Sequence, residues 1–133
     1  MRLHNFLFVG LGGAMGGGLR HGLSIIPGAN YPAVIIAINI LGAFTLPLLG
    51  QYLLPKIGAS VRIQLLVTTG VISAFTTFSA ITGEMVERIH AHQSLWAFGY
   101  LALTLLLGLC AAALGTHLAQ RWANATNQSG TRT

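Results

Sequence analysis

The sequence predicts an all-α membrane protein with four transmembrane helices, the third of which is interrupted in the middle of the membrane. Two observations support this fold class. Of the 133 residues, 53% are hydrophobic and 7% are charged, whereas soluble domains carry about 25% charged residues. The stretch Thr68–Glu84 is also rich in hydroxyl groups although it lies inside a long apolar segment. Hydroxyl groups in hydrocarbon are costly unless they find partners, so this stretch is expected to build a functional site.

The apolar segments divide the chain into one membrane domain and a short tail. The four spans are expected at about residues 3–24, 32–54, 61–88 and 95–118. Because each span needs about 20 residues, no separate soluble domain fits. Residues 1–123 therefore form one four-helix membrane domain, and the polar residues 124–133 are expected to be a disordered tail. A chain this short encloses a water-filled or ion-filled path poorly by itself, which favours an oligomer.

The first span is rich in glycine and has an arginine near its end. Small residues four positions apart, either Gly12 with Gly16 or Gly13 with Gly17, allow a second helix to approach closely. Arg20 carries a charge close to the membrane interior. Such a charge marks either a functional residue or a side chain that extends to the lipid head groups.

The second and fourth spans each carry isolated polar residues. Asn39 stands among apolar neighbours, so its carboxamide must bind either another helix or a ligand. On the fourth span, Thr104 lies one turn beyond Tyr100 on the same helix face. Tyr100 is either an interface aromatic residue or points inward. Cys110, the only cysteine, is expected to be a small buried apolar residue.

The third span is longer than one membrane crossing requires, which favours an interruption near residues 74–77. The hydroxyl groups of Thr76, Thr77 and Ser79 can bind the main chain and compete with helical hydrogen bonds. The alternative is a continuous helix whose hydroxyl groups bind their own carbonyls. Glu84 and Arg88 follow at a spacing that suits an ion pair along a helix.

The basic charges are scattered over loops and ends, so we interpret the net charge of +5 as a topology signal rather than a nucleic-acid surface. With an even number of spans, one side of the membrane would carry Arg2, Lys56, Arg62, Arg121 and Arg132, and the other Arg20 and Arg88. This bias favours cytoplasmic termini of a multi-pass protein.

Catalytic chemistry is not indicated. The sequence contains no paired carboxylates, no metal-ligand spacing and no nucleophile next to a base. Its five histidines are dispersed near segment ends and loops. We therefore expect a membrane protein that is not an enzyme.

Three motifs occur in order on three of the four spans. They are Gly-Gly-Ala-Met-Gly-Gly-Gly-Leu-Arg-His from Gly12 to His21, Asn-Ile-Leu-Gly-Ala-Phe from Asn39 to Phe44, and the stretch from Gly70 to Glu84 that contains Phe-Thr-Thr-Phe-Ser. Together they resemble the CrcB/Fluc family of fluoride ion channels. The family has a glycine-rich first helix, an Asn-x-x-Gly-Ser/Ala-Phe motif and a Thr-Thr-Phe-Ser-Thr-Phe signature.

The resemblance implies a dual-topology dimer, in which two identical four-helix subunits insert in opposite orientations. It also implies two narrow fluoride paths and a structural sodium ion (Na+) at the dimer centre. The main-chain carbonyls of Phe75 and Thr76 would hold this ion. The implied function is passive efflux of fluoride across the cell inner membrane, which protects the cell from fluoride.

The resemblance and the available hydrogen-bond donors give the candidate site. The predicted fluoride pathway comprises Asn39, Phe78, Ser79, Ile81, Thr82, Tyr100 and Thr104, and the predicted vestibule comprises Arg20 and Glu84. Two positions depart from the family signature, because Ala80 and Ile81 stand where the family has threonine and phenylalanine. Gly108 also stands where the family's polar track would have a serine.

Fluoride is strongly hydrated, so a pore must replace its water with fixed donors. An amide, several hydroxyl groups and the positive edge of Phe78 can supply them. One competing hypothesis is a small antiparallel drug/proton exporter, which requires an acidic residue inside a span. Another is an assembly subunit that transports nothing and whose glycine faces serve packing alone.

Overall fold

The computed structural model describes residues 3–28 and 30–130, and the regular structure in these ranges is helical throughout. Arg2 and Arg132, which contribute to the predicted charge bias, lie outside the described residues. The helices are α1 (Leu3–Ser24), α2 (Tyr31–Pro47), a π-helical segment (Leu48–Leu53), α3 (Leu54–Lys56), α4 (Val61–Gln64), a second π-helical segment (Leu65–Ile72), α5 (Ser73–Phe75), α6 (Ser79–His90) and α7 (Ser94–Gly130).

Three helical runs in the described part of the chain are long and apolar enough to cross a membrane: Tyr31–Lys56, Val61–His90 and Ser94–Thr126. Helix α1 has 22 residues and is therefore also long enough. It is less apolar than the other three because it contains many glycines and the polar residues His4, Asn5, Arg20 and His21. The architecture is that of an all-α membrane protein, as the composition predicts.

Helix α1 packs against the second π-helical segment through one of its two glycine pairs. A Cβ atom on Gly12 or Gly16 would collide with backbone atoms of residues 66–71, whereas Gly13 and Gly17 have nothing within 4 Å of that position. The Gly12/Gly16 pair is therefore the packing face. Gly70 completes the contact, because a Cβ there would lie 2.8 Å from the Cα of Gly12.

Helices α2 and α7 lie side by side and run in the same direction. Near their amino ends, the hydroxyl of Tyr100 donates to the carbonyl of Pro32 at 3.4 Å. Further along, Gly115 packs against the backbone of Phe44, and a Cβ on Gly115 would lie 2.9 Å from the Pro47 ring. The two helices are therefore in contact near both ends of α2.

The core joins α2, α6 and α7. Its buried members are Ile35, Ile38, Ile81 and Tyr100. Tyr100 therefore points inward, which decides between the two orientations that the sequence left open. Cys110 is exposed, so the expectation that it is buried was wrong: it lies on a face of α7 that the other described helices leave uncovered.

Helix α7 continues past residue 123, where the sequence predicts that the polar tail begins. It reaches Gly130 as a single helix of 37 residues. Polar residues do not end a helix by themselves, and no proline or glycine occurs between residues 123 and 129. The hydroxyl of Thr126 supports this part by donating to the Trp122 carbonyl at 2.9 Å. Residues 131–133 of the predicted tail lie outside the described residues.

Candidate functional site

The hydroxyl-rich stretch contains three residues that are not helical. Helix α5 ends at Phe75, and α6 begins at Ser79. Between them, Thr76 adopts an extended conformation with φ −74° and ψ 153°. Because the chain leaves the helical path here, the next peptide group cannot make its usual bonds along the helix and needs other partners.

Asn39 provides those partners. Its Nδ2 donates to the Thr77 carbonyl at 2.9 Å, and the Thr77 amide donates to its Oδ1 at 2.8 Å. One carboxamide thus satisfies both main-chain groups of Thr77. Gly42, one turn further along α2, makes this approach possible, because a Cβ there would collide with the Thr76 methyl group. Asn39 therefore binds another segment of this chain and retains one N–H for a further acceptor.

Thr77 also starts the next helix. Its hydroxyl oxygen accepts the amide of Ala80 at 3.3 Å and shares a hydrogen bond with the Ser79 hydroxyl at 3.1 Å. A threonine oxygen in this position replaces a missing helical acceptor for a first-turn amide. One turn into α6, Thr82 donates to the Ser79 carbonyl at 3.0 Å. These hydroxyl groups hold the main chain as well as offering sites to a ligand.

The carbonyl oxygens of Phe75 and Thr76 have a different environment. Neither oxygen accepts any of the hydrogen bonds found among the described residues. The Ala80 amide, which would reach Thr76 in a continuous helix, is bound to the Thr77 side chain instead. Two adjacent carbonyls without donors are ligands of the type that hard cations prefer.

A cavity of about 510 Å³ lies beside the interruption, between α2, the Ser73–Phe78 region and α7. It brings together four residues of the predicted pathway: Asn39, Phe78, Ile81 and Thr104. Phe78 is 59% exposed, whereas Ile81 is 3% exposed and belongs to the core. Ser79, Thr82 and Tyr100 are not among the residues that line this cavity.

Thr104 lies on the α7 side of the first cavity and is bonded to Tyr100, one turn earlier in the same helix. The Thr104 hydroxyl donates to the Tyr100 carbonyl at 2.8 Å and is buried. This hydroxyl group can donate to an ion only if its bond to the Tyr100 carbonyl breaks. The Tyr100 ring stacks on Trp96 with centroids 5.1 Å apart, which restricts its position.

The two predicted vestibule residues share a second cavity of about 430 Å³. It is lined by Arg20 and Glu84, and Ser79, Tyr31 and Glu87 are also at its walls. Within the described residues, the Nε atom of Arg20 is buried without a hydrogen-bond partner. Since Phe78 faces one cavity and Ser79 the other, the start of α6 separates the two cavities.

Arg88 connects this region to α7, a role that the sequence did not reveal. The expected ion pair is present, with the Arg88 Nε 2.8 Å from Glu84 Oε1. The same guanidinium lies over the Trp96 ring at 4.4 Å and donates to the Gln93 side chain at 3.1 Å. The sequence did contain a signal for this contact. A basic residue lies one turn before a loop, and the helix after the loop begins with aromatic residues.

Comparison with known proteins identifies the family. A family profile described as "CrcB-like protein, Camphor Resistance (CrcB)" matches residues 7–116. This chain belongs to the CrcB family. It is 33% identical over 120 residues to the Fluoride-specific ion channel FluC 2 of Listeria monocytogenes, covering 90% of this chain and 93% of the relative. It is 36% identical over 124 residues to the Fluoride-specific ion channel FluC of Hyphomonas neptunium, covering 90% and 98%.

A third relative agrees with these two. The CrcB chain described here is 36% identical over 122 residues to the Fluoride-specific ion channel FluC of Mesorhizobium japonicum, covering 89% of this chain and 98% of the relative. The predicted resemblance to the CrcB/Fluc family is therefore confirmed. Because the members of this family are named as ion channels, the expectation that the protein is not an enzyme is confirmed as well.

Proposed function

We propose that this protein is a fluoride-selective ion channel that allows passive efflux of fluoride across the cytoplasmic membrane and so gives resistance to fluoride toxicity. The carrying observation is the cavity that unites Asn39, Phe78 and Thr104 beside the non-helical residues 76–78. The relatives named as fluoride-specific channels, which match along about nine tenths of this chain, support the same conclusion.

The proposed assembly is a dual-topology homodimer of four-span subunits. Helix α1 is the first span, and residues 76–78 interrupt the third span within the membrane. Two observations support an assembly. The cavity beside the interruption lies at the surface of a single subunit, and one of its walls, Phe78, is 59% exposed. A second, oppositely oriented copy would close such an open groove and shield the irregular backbone from lipid.

Conduction follows from donors that replace the water around a small anion. Asn39 keeps one N–H after its two bonds to Thr77, and the Thr104 hydroxyl can exchange its bond to Tyr100 for one to the ion. Phe78 can present the positive edge of its ring. These contacts are few and partly engaged elsewhere, which suits a path that must both bind and release the ion.

Arg20 and Glu84 form the vestibule, which the ion passes before it reaches the cavity beside the interruption. The Nε group of Arg20 has no partner among the described residues and attracts anions to the second cavity. The charge of Glu84 is offset by Arg88, with which it pairs at 2.8 Å. Ser79, and Thr82 one turn later on α6, offer hydroxyl groups between this vestibule and Phe78.

The carbonyl oxygens of Phe75 and Thr76 fit the expected structural sodium site. They are adjacent, belong to the interruption and accept none of the hydrogen bonds in the described part of the chain. A cation bound there would supply positive potential to both paths. The two residues would contribute main-chain oxygens as ligands of this ion.

The contacts favour a channel over a drug/proton exporter. An exporter needs a carboxylate inside a span that alternately binds a proton and a substrate. Glu84 is buried and ion-paired with Arg88, and Glu87 lies near the end of α6. An assembly subunit without transport would have no need for the donors that line the cavity.

Release of fluoride from liposomes tests this function. Purified protein is reconstituted in vesicles loaded with potassium fluoride, and external fluoride is followed with a selective electrode after valinomycin is added. The proposal predicts release that starts with valinomycin, because a channel moves net charge, and slower release from a Thr104→Val variant. Absence of release, or release that requires a pH gradient, would contradict it.

A further inference from the structure

A third cavity, of about 570 Å³, lies between the two π-helical segments and is not part of the site described above. Its walls include the polar residues Gln51, Thr68 and Thr116, together with Gly50. Gly50 and Gln51 belong to the Leu48–Leu53 segment, and Thr68 belongs to the Leu65–Ile72 segment. π-helical turns occur frequently at functional sites.

The third cavity continues the groove that begins beside the interruption. Ala43 and Leu46 line both cavities, so the two are neighbours along α2. On α7, Thr104 lines the first cavity and Thr116 the third. These threonines are about 18 Å apart along the axis of α7. The two cavities are connected along this helix by residues that recur every three or four positions and therefore share one face: Leu105 and Leu109 in the first cavity, and Ala112 and Thr116 in the third. Together the cavities follow α2 and α7 over that distance.

Two polar side chains in the third cavity are free to bind a ligand. The side chains of Gln51 and Thr116 make none of the hydrogen bonds or other contacts found among the described residues. Thr45 of α2 is different, since its hydroxyl group already donates a hydrogen bond to the Leu41 carbonyl at 2.7 Å. Gln51 is exposed and Thr116 is half-buried at the edge of this cavity, so both groups can bind water or a polar ligand there.

The position of the cavity places it near one membrane surface. Tyr52 follows Gln51 directly, and its ring packs against Trp122 with centroids 5.5 Å apart. Lys56 donates to the Tyr52 hydroxyl at 2.7 Å. Tyrosine, tryptophan and lysine are typical of the membrane–water interface. The free amide and hydroxyl groups therefore lie just inside this boundary, at the end of a groove that leads from Thr104.

We propose that the third cavity is a mouth of the fluoride path, in which the Gln51 amide and the Thr116 hydroxyl donate hydrogen bonds to the anion while it regains its water. This inference rests on the proposed channel function. It assigns a second set of ion-binding groups to the end of the path near Tyr52. The first set, at Asn39 and Thr104, lies at the interruption.

Fluoride release from liposomes tests the proposal with variants that differ by single groups. Thr116→Val and Gln51→Leu remove one donor each at nearly constant volume, and each is expected to slow release about tenfold, the usual effect of losing one hydrogen bond to a charged group. Thr116→Ser restores the hydroxyl group and is expected to restore release. Gln51→Glu places a negative charge at the mouth and is expected to slow release more than Gln51→Leu. Thr45→Val is the control, because Thr45 lines none of the three cavities.

The outcomes separate this inference from the channel function. If the wild type releases no fluoride, both proposals fail. If the wild type releases fluoride, and Thr116→Val, Gln51→Leu and Thr45→Val all release it at the same rate, the channel function stands. In that case the assignment of the third cavity as a mouth is wrong.

A cysteine variant tests the mouth by blocking the cavity instead of removing a hydrogen-bond donor. In a Cys110→Ala background, Thr116→Cys is treated with a charged thiol reagent that does not cross membranes. Modification that stops fluoride release supports the mouth. A thiol that stays unmodified, or modification that leaves release unchanged, contradicts it.

Discussion

The paired hydrogen bonds between Asn39 and Thr77 give the sharpest test of how the interruption is held. Replacing Asn39 with leucine removes both bonds, at 2.9 Å and 2.8 Å, and leaves a partly buried amide and carbonyl without partners. Each unsatisfied group costs about 1–3 kcal/mol. Because the site is only partly buried and water reaches some of it, we expect a total loss of about 2–4 kcal/mol.

The assay is unfolding in mixed micelles by titration with sodium dodecyl sulfate, followed by helical circular dichroism. Asn30→Ala is the matched control, because Asn30 caps the same helix with one hydrogen bond, to the Ala33 amide at 3.3 Å, and is exposed. Loss of that cap is expected to cost about 1 kcal/mol. Hydrogen exchange of the Thr77 amide should also accelerate in Asn39→Leu and not in Asn30→Ala. If Asn39→Leu is no more destabilising than Asn30→Ala and exchange at Thr77 is unchanged, Asn39 does not hold the interruption.

Three further predictions use the same unfolding assay. Gly16→Ala should destabilise by about 1–3 kcal/mol because its Cβ collides with backbone, and an equal effect of the open position Gly17→Ala would refute the assigned packing face. Arg88→Gln should cost roughly 1.5–3 kcal/mol, because it removes the charged partner of the buried Glu84; an additive double variant with Glu84→Gln would show that the pair is not coupled. Ile81→Phe should cost about 1–3 kcal/mol by overpacking a side chain that is 3% exposed, and unchanged stability would show room for a second ring in this cavity.

The composition and the lengths of the apolar segments were sufficient to predict membrane-spanning helices. Whether a segment is apolar and long enough depends only on its own residues. Contacts that depend on how the helices assemble were not predictable. Helical periodicity treats Gly12 with Gly16 and Gly13 with Gly17 alike, and only the position of the neighbouring segment decides between them. The exposure of Cys110 has the same origin, since an apolar residue in a membrane helix can face either a neighbour or lipid.

The site shows the same division. Hydroxyl groups in an apolar run indicated where the chain would depart from a regular helix. The lone amide of Asn39 indicated that its side chain would have a hydrogen-bond partner. That partner, Thr77, is 38 residues away in sequence, and no local pattern specifies such a pairing. The two π-helical segments were also missed. The second contains bonds such as that from the Ser73 amide to the Thr68 carbonyl, and a shift of one residue in bonding leaves no compositional mark.

The most direct test of the central claim is the selectivity of anion release. Vesicles that contain the wild-type protein are loaded with equal concentrations of fluoride and chloride, and both ions are followed with selective electrodes after valinomycin is added. The account predicts that fluoride leaves while chloride is retained, because the groove lined by Asn39, Phe78 and Thr104 is proposed to become, once a second copy closes it, a path that only a small anion fits. Release of both ions at equal rates, or of neither, would contradict it.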